Sequence, residues 1–108
     1  MRGPQLGVQV DDLDFGRLDS LGLPYGIEVT HVTVGSPAEA DGLRAGDVIV
    51  KMDRRTIRNI DDVQRVLDYF EPSERLKLEI IRDKNRKQLE IGRDPIFRAK
   101  LPKISVLI

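Results

Sequence analysis

Apolar and polar residues alternate most regularly from Gly26 to Val34 (GIEVTHVTV). Ile27, Val29, His31 and Thr33 fall on one face, and Glu28, Thr30, Val32 and Val34 on the other. This period of two predicts a strand. Both faces carry β-branched residues, so burial on more than one side is expected. Three further runs read as strands. Gln5 to Val10 (QLGVQV) contains Gly7, and a glycine inside a strand marks a bulge or a close backbone approach. Asp47 to Met52 (DVIVKM) is followed by a turn at Asp53-Arg54-Arg55 and a short strand at Thr56-Ile57. Arg75 to Arg82 turns Leu76, Leu78 and Ile80 inward, and beyond a turn at Asp83 to Asn85 the segment Arg86 to Ile91 returns as its hairpin partner.

Helical spacing dominates elsewhere. The longest predicted helix runs from Ile60 to Phe70, capped by Asn59, with Asp61 and Asp62 in the first turn, where the helix dipole favours acids. Its apolar residues form two stripes: Val63, Val66 and Phe70, and beside them Ile60 and Leu67 with Gln64 between. One stripe serves the core; the second wants another partner. A shorter helix is expected between Asp11 and Leu23, capped by Asp14 and ended by Gly22 and Pro24. Gly35 to Gly46 (GSPAEADGLRAG) reads as one capped turn, with Ser36 as N-cap, Pro37 in the first helical position and Gly42 as the stop. Many short strands with few helical pieces indicate an α+β or small-barrel domain. Beyond Gly92 no clear periodicity is found until the apolar end Ile104 to Ile108.

Composition narrows the function. The 108 residues suit one domain. Lys plus Arg and Asp plus Glu number 18 each, and that balance lacks the basic excess of a nucleic-acid module. With no Cys, disulfides, thiolate metal sites and Cys nucleophiles are excluded. No apolar run of about 18 residues predicts a membrane span. Met1-Arg2-Gly3-Pro4 leads straight into patterned sequence, so no signal peptide is expected.

Catalytic constellations are missing. The one histidine, His31, sits mid-strand, and the nearest serine, Ser36, reads as a helix cap. Asp11-Asp12-Asp14 lacks the spaced ligands and glycine of a calcium loop, and no phosphate-binding glycine motif occurs. The expectation is no enzyme, no metal and no cofactor. What remains is a binding module. An N-terminal edge strand beside a helix with a spare apolar stripe forms a groove that an extended peptide can fill.

The stretch GSPAEADGLRAGDVIVKMD (Gly35 to Asp53) resembles the signature of bacterial PDZ domains. Gln5 to Val10, together with LGLPYGIEVTHV (Leu21 to Val32), resembles the PDZ domains of HtrA/Deg-type serine proteases. The likeness spans about residues 2 to 92, leaving 93–108 as a C-terminal extension. It implies a small, partly open β-barrel or sandwich of five to six short strands, one long helix and one or two short ones. It also implies a peptide-binding module that takes an apolar C-terminus by strand addition. Gln5, Leu6, Gly7 and Val8 would form the carboxylate-binding loop, Val8, Gln9 and Val10 the pairing strand, and Ile60, Gln64 and Leu67 the opposite wall, with a phase that turns Val63 to the groove as the alternative. The parent would be a larger protease of extracytoplasmic address; a structural module of a membrane or secretion complex, binding an internal segment, is the other reading. Partners are then peptides, with neither nucleic acid nor membrane insertion expected. The sequence departs from the family pattern at Pro4-Gln5, at Asp41, at Ser73, and at Asp53-Arg54-Arg55, where Asn-Gly is usual; a positive φ at Arg54 would cost roughly 1 kcal/mol.

Val106, Leu107 and Ile108 form an apolar end of the kind such a groove accepts, a candidate self-ligand. A linker of roughly sixteen residues extends on the order of 50 Å, so a neighbouring copy's groove is the expected destination ahead of its own.

Overall fold

The computed structural model describes residues 6–68, 75–92 and 106–107. In chain order the elements are β1 (Val8–Asp12), α1 (Phe15–Leu21), β2 (Ile27–Val32), α2 (Pro37–Ala40), β3 (Val48–Met52), β4 (Arg55–Thr56), α3 (Ile60–Asp68), β5 (Arg75–Arg82), β6 (Asn85–Gly92) and β7 (Val106–Leu107). The strands form one open antiparallel sheet in the order β6-β5-β3-β2-β1-β7, with β4 paired to β3. The expected α+β architecture is what the chain adopts.

The main core lies on one face of the sheet. Val8, Val10, Ile27, Val29, Ile49, Met52, Leu76, Leu78, Ile80 and Ile91 from the strands meet Ala38 of α2 and Val63, Val66 and Leu67 of α3. Fully burying an aliphatic side chain of this kind stabilises by ~1.5–3 kcal/mol. A second, smaller cluster of Val48, Val50 and Ile81 sits on the other face, covered by Leu13, Leu21, Leu23 and Tyr25 around α1. This double cover explains why β3 is apolar on both faces. Gly26 is pressed against β3: at φ 150° a Cβ there would stand 2.7 Å from Val48 Cγ1.

Caps form where the sequence places them. Asp14 accepts from Arg17 N at 2.7 Å, and Gly22 closes α1 in the left-handed region. Ser36 Oγ accepts from Glu39 N at 3.2 Å, while the Glu39 carboxylate accepts from Gly35 N at 2.9 Å. Pro37 opens α2.

Four boundaries or faces differ from the sequence reading. β1 runs two residues further than Val10, because Asp11 and Asp12 find ladder partners in Glu28 and Ile27. β2 does not keep one alternation. The register jumps from Gln9↔His31 to Val10↔Val29, leaving Thr30 as the extra residue of a bulge, and its hydroxyl donates to Gln9 O at 3.2 Å. Beyond a bulge the faces exchange. His31 is therefore exposed, and Val32 packs against the core instead. β4 starts at Arg55, since the turn before it uses only Asp53 and Arg54 (φ 50° and 72°). The last hairpin likewise turns on Asp83 and Lys84 alone (φ 51° and 65°), so Asn85 already belongs to β6. The expected continuation of α3 to Phe70 lies outside the described residues.

Candidate functional site

The residues singled out as a groove come from β1, the loop before it and α3. β1 has β2 on one edge. Its strand end is tied to α3 by a side chain: Asp12 Oδ1 accepts from Ile60 N at 3.1 Å. That bond satisfies one of the amides a helix leaves open at its N-terminus. Asn59 Oδ1 takes a second, from Asp62 N at 3.0 Å, and Asp62 accepts from Arg58 N at 2.9 Å. The spacing between strand and helix is therefore set by hydrogen bonds as well as by packing.

On α3, Val63 is wholly buried and Val66 and Leu67 are buried beside it. Ile60 is half-buried against the core and Gln64 is exposed. The helix thus turns Val63 and Val66 inward, as its first stripe indicates, and the second stripe runs from buried Leu67 to open Gln64.

The loop before β1 is built around Gly7, whose φ of 82° lies in the left-handed region that favours glycine. Leu6 and Val8 on either side are wholly buried core residues; Gln5 lies outside the described residues. The loop's carbonyls are committed to the domain. Leu6 O accepts from Ala38 N at 3.1 Å, and Gly7 O accepts from Thr33 N at 2.8 Å. In a trans peptide the N–H of the next residue points opposite to the carbonyl. The amides of Gly7 and Val8 are therefore directed away from α2 and from Thr33, and the Val8 amide faces the edge of β1 that β2 does not use. Adjacent amides held this way form an anion-accepting concavity.

That edge carries a strand. β7 pairs antiparallel with β1, Leu107 opposite Gln9 and Val106 opposite Val10. The segment thus pairs within its own chain, where the sequence reading sent it to a neighbouring copy; Ile108 lies outside the described residues. Pairing within the chain is favoured because a tethered segment meets its own domain at high effective concentration.

A family model described as PDZ domain matches residues 4–92. The chain belongs to the PDZ domain family. Among curated relatives, the probable periplasmic serine endoprotease DegP-like of Pseudomonas fulva (strain 12-X) is 33% identical over 89 residues, covering 81% of this chain and 19% of that protein. Its namesake in Chlamydia trachomatis serovar D is 32% identical over 99 residues, covering 90% of this chain and again 19% of the relative. The chain spans about a fifth of the length of these curated relatives. Among solved structures, the PDZ domain of HtrA3 bound to a phage-derived ligand (FGRWV) superposes with a TM-score of 0.71 at 25% identity, covering 82% of this chain and 83% of that one. The HtrA-type protease AlgW with decapeptide gives 0.69 at 29% identity, with 85% and 30% covered. This PDZ domain resembles those of HtrA-type proteases and is itself a non-catalytic module, matching only the PDZ part of its relatives. Among the described residues no group of three His, Asp or Glu could hold a metal, and no helix is long and apolar enough to cross a membrane.

Three residues escaped the sequence reading. Asp12 stood out in the sequence only as part of an acidic cluster that does not fit a calcium loop, yet it anchors α3 across 48 positions of chain. Asp41 accepts from Gly92 N at 2.9 Å and holds the end of β6. Asp47 pairs with Arg82. Only Asp47 carried a signal, as an acid directly before the apolar run Val48-Ile49-Val50.

Proposed function

We propose that this PDZ domain captures the apolar C-terminus of another protein as a strand added along β1, and serves a longer HtrA-like protease as a recruiting or regulatory domain. The observation that carries this reading is the direction of the Gly7 and Val8 amides, turned outward because the Leu6 and Gly7 carbonyls bond inward. A ligand carboxylate placed there would receive two N–H groups, with Gln5, Leu6, Gly7 and Val8 as the loop. Its main chain would pair with Val8, Gln9 and Val10, and its side chains would meet Ile60, Gln64 and Leu67. In this reading residues 1–92 are the domain and 93–108 an extension. The periplasmic relatives support an extracytoplasmic address, and the ligand-bound HtrA3 PDZ domain and AlgW support a peptide partner.

A panel of peptides ending in Val, Leu, Ile, Phe or Ala, each as free acid and as C-terminal amide, tests it. Free acids are expected to bind at about micromolar to tens of micromolar, since a short peptide loses considerable freedom on ordering, and the amides at least about tenfold more weakly, by analogy with lost charge-assisted hydrogen bonds. Equal binding of acid and amide would instead favour recognition of an internal segment.

A further inference from the structure

The edge of β1 that the proposed ligand would use is already paired. We propose that Val106–Leu107 is a resident, self-supplied occupant of this site, which an incoming peptide must displace. The inference rests on the reading of β1 as the peptide-pairing strand.

A strand has two edges, and β2 holds the other one. Only one further strand can therefore lie along β1 at a time. β7 lies there antiparallel, with Leu107 opposite Gln9 and Val106 opposite Val10. Each step forward along β7 is a step back along β1, so β7 runs towards the Gly7 loop, the direction a ligand aimed at the outward amides would take. Its composition suits the position: Ile104-Ser105-Val106-Leu107-Ile108 is apolar and largely β-branched.

Tethering makes this competition effective. The 93–105 connection of about 13 residues spans up to about 45 Å when extended, well beyond the roughly 13 Å radius of gyration of a 100-residue domain. A covalent connection of this length presents its end at about millimolar effective concentration. A segment with an intrinsic dissociation constant of about 100 μM would then hold the site closed in about nine molecules of ten. Exogenous ligand sees only the open fraction, so its apparent affinity falls about tenfold.

The test compares three proteins: the full chain, the full chain with Val106→Asp and Leu107→Asp, and a variant lacking residues 104–108. The probe is fluorescently labelled FGRWV as a free acid, read by anisotropy, together with hydrogen exchange of the β1 amides in the absence of peptide and sedimentation of each protein. The expected result is about tenfold tighter probe binding in both altered proteins, faster exchange in β1, and a monomer throughout. Unchanged probe affinity with unchanged β1 exchange would overturn self-occupancy while leaving the peptide-binding reading intact. An affinity gain accompanied by conversion of a dimer to a monomer would overturn it too, since the occupant would then be a second copy. If β1 exchange quickens but none of the three proteins binds the probe or any peptide of the panel, self-pairing stands as structure and the ligand-capture reading, with the competition built on it, fails.

Discussion

Arg82 grips Asp47 with a two-pronged pair, Nε to Oδ1 at 2.7 Å and Nη2 to Oδ2 at 2.6 Å. The same Nη2 donates to Gly42 O at 2.8 Å, and Asp47 also accepts from Arg44 N at 2.9 Å. The hydrogen bonds to Asp47 hold the Arg82 guanidinium above its ordinary pKa, against the opposing effect of burial. One carboxylate thus ties the loop after α2 to β5. With Asp47 2% and Arg82 14% exposed, removing one partner strands a buried charge. Asp47→Ala is expected to cost about 3–5 kcal/mol in urea unfolding, whereas the double replacement Asp47→Leu with Arg82→Met recovers most of it. A single-variant loss below about 1 kcal/mol would show that the pair is not what holds the loop.

Arg54 and Lys84 occupy the second positions of two tight turns with φ of 72° and 65°. Turns with both central residues at positive φ favour glycine there. Arg54→Gly and Lys84→Gly should each stabilise by about 0.5–1 kcal/mol, and together they should add, because separate sites act independently. Calorimetry checks this: a rise of about 4–8 °C per kcal/mol is expected for a domain of this size, and no rise would show that the left-handed residues carry no strain.

Asp12 and Asn59 both satisfy amides at the start of α3, but only Asp12 does so from β1. Losing either cap costs about 0.5–2 kcal/mol. Asp12→Ala should additionally loosen the strand–helix spacing and weaken peptide binding several-fold, while Asn59→Ala should leave binding near its starting value at matched stability. Titration of both variants with one free-acid peptide separates the roles; equal effects on binding would reduce Asp12 to an ordinary cap.

Gly7 holds its left-handed φ between two wholly buried neighbours. Gly7→Ala is expected to lose about 1–2 kcal/mol of stability and to draw the affinities of free-acid and amidated peptides together, since the outward amides depend on that turn. Retention of a large acid-over-amide preference in a folded Gly7→Ala protein would place the carboxylate elsewhere.

The strands β2, β3 and β5, the caps at Asp14 and Ser36, and the two apolar stripes of α3 are all legible in the sequence, because each depends on neighbours within a few residues or on a short period; the stripe that faces the core is decided by packing, which buries Val63. So is family membership, carried by the Gly35 to Asp53 stretch. What the sequence left open depended on residues far apart. Thr30 becomes a bulge only because β1 lies beside it, which turns His31 out and Val32 in. Asp12 becomes an anchor only when β1 meets α3, and Asp41 only when β6 ends beside it. Whether Val106–Leu107 pairs with its own β1 or another copy's is likewise not written in its composition. Any apolar, β-branched segment can extend a sheet; which edge it joins is decided by where the fold leaves a row of amides open, and here the segment lies along the edge of β1 that β2 does not use.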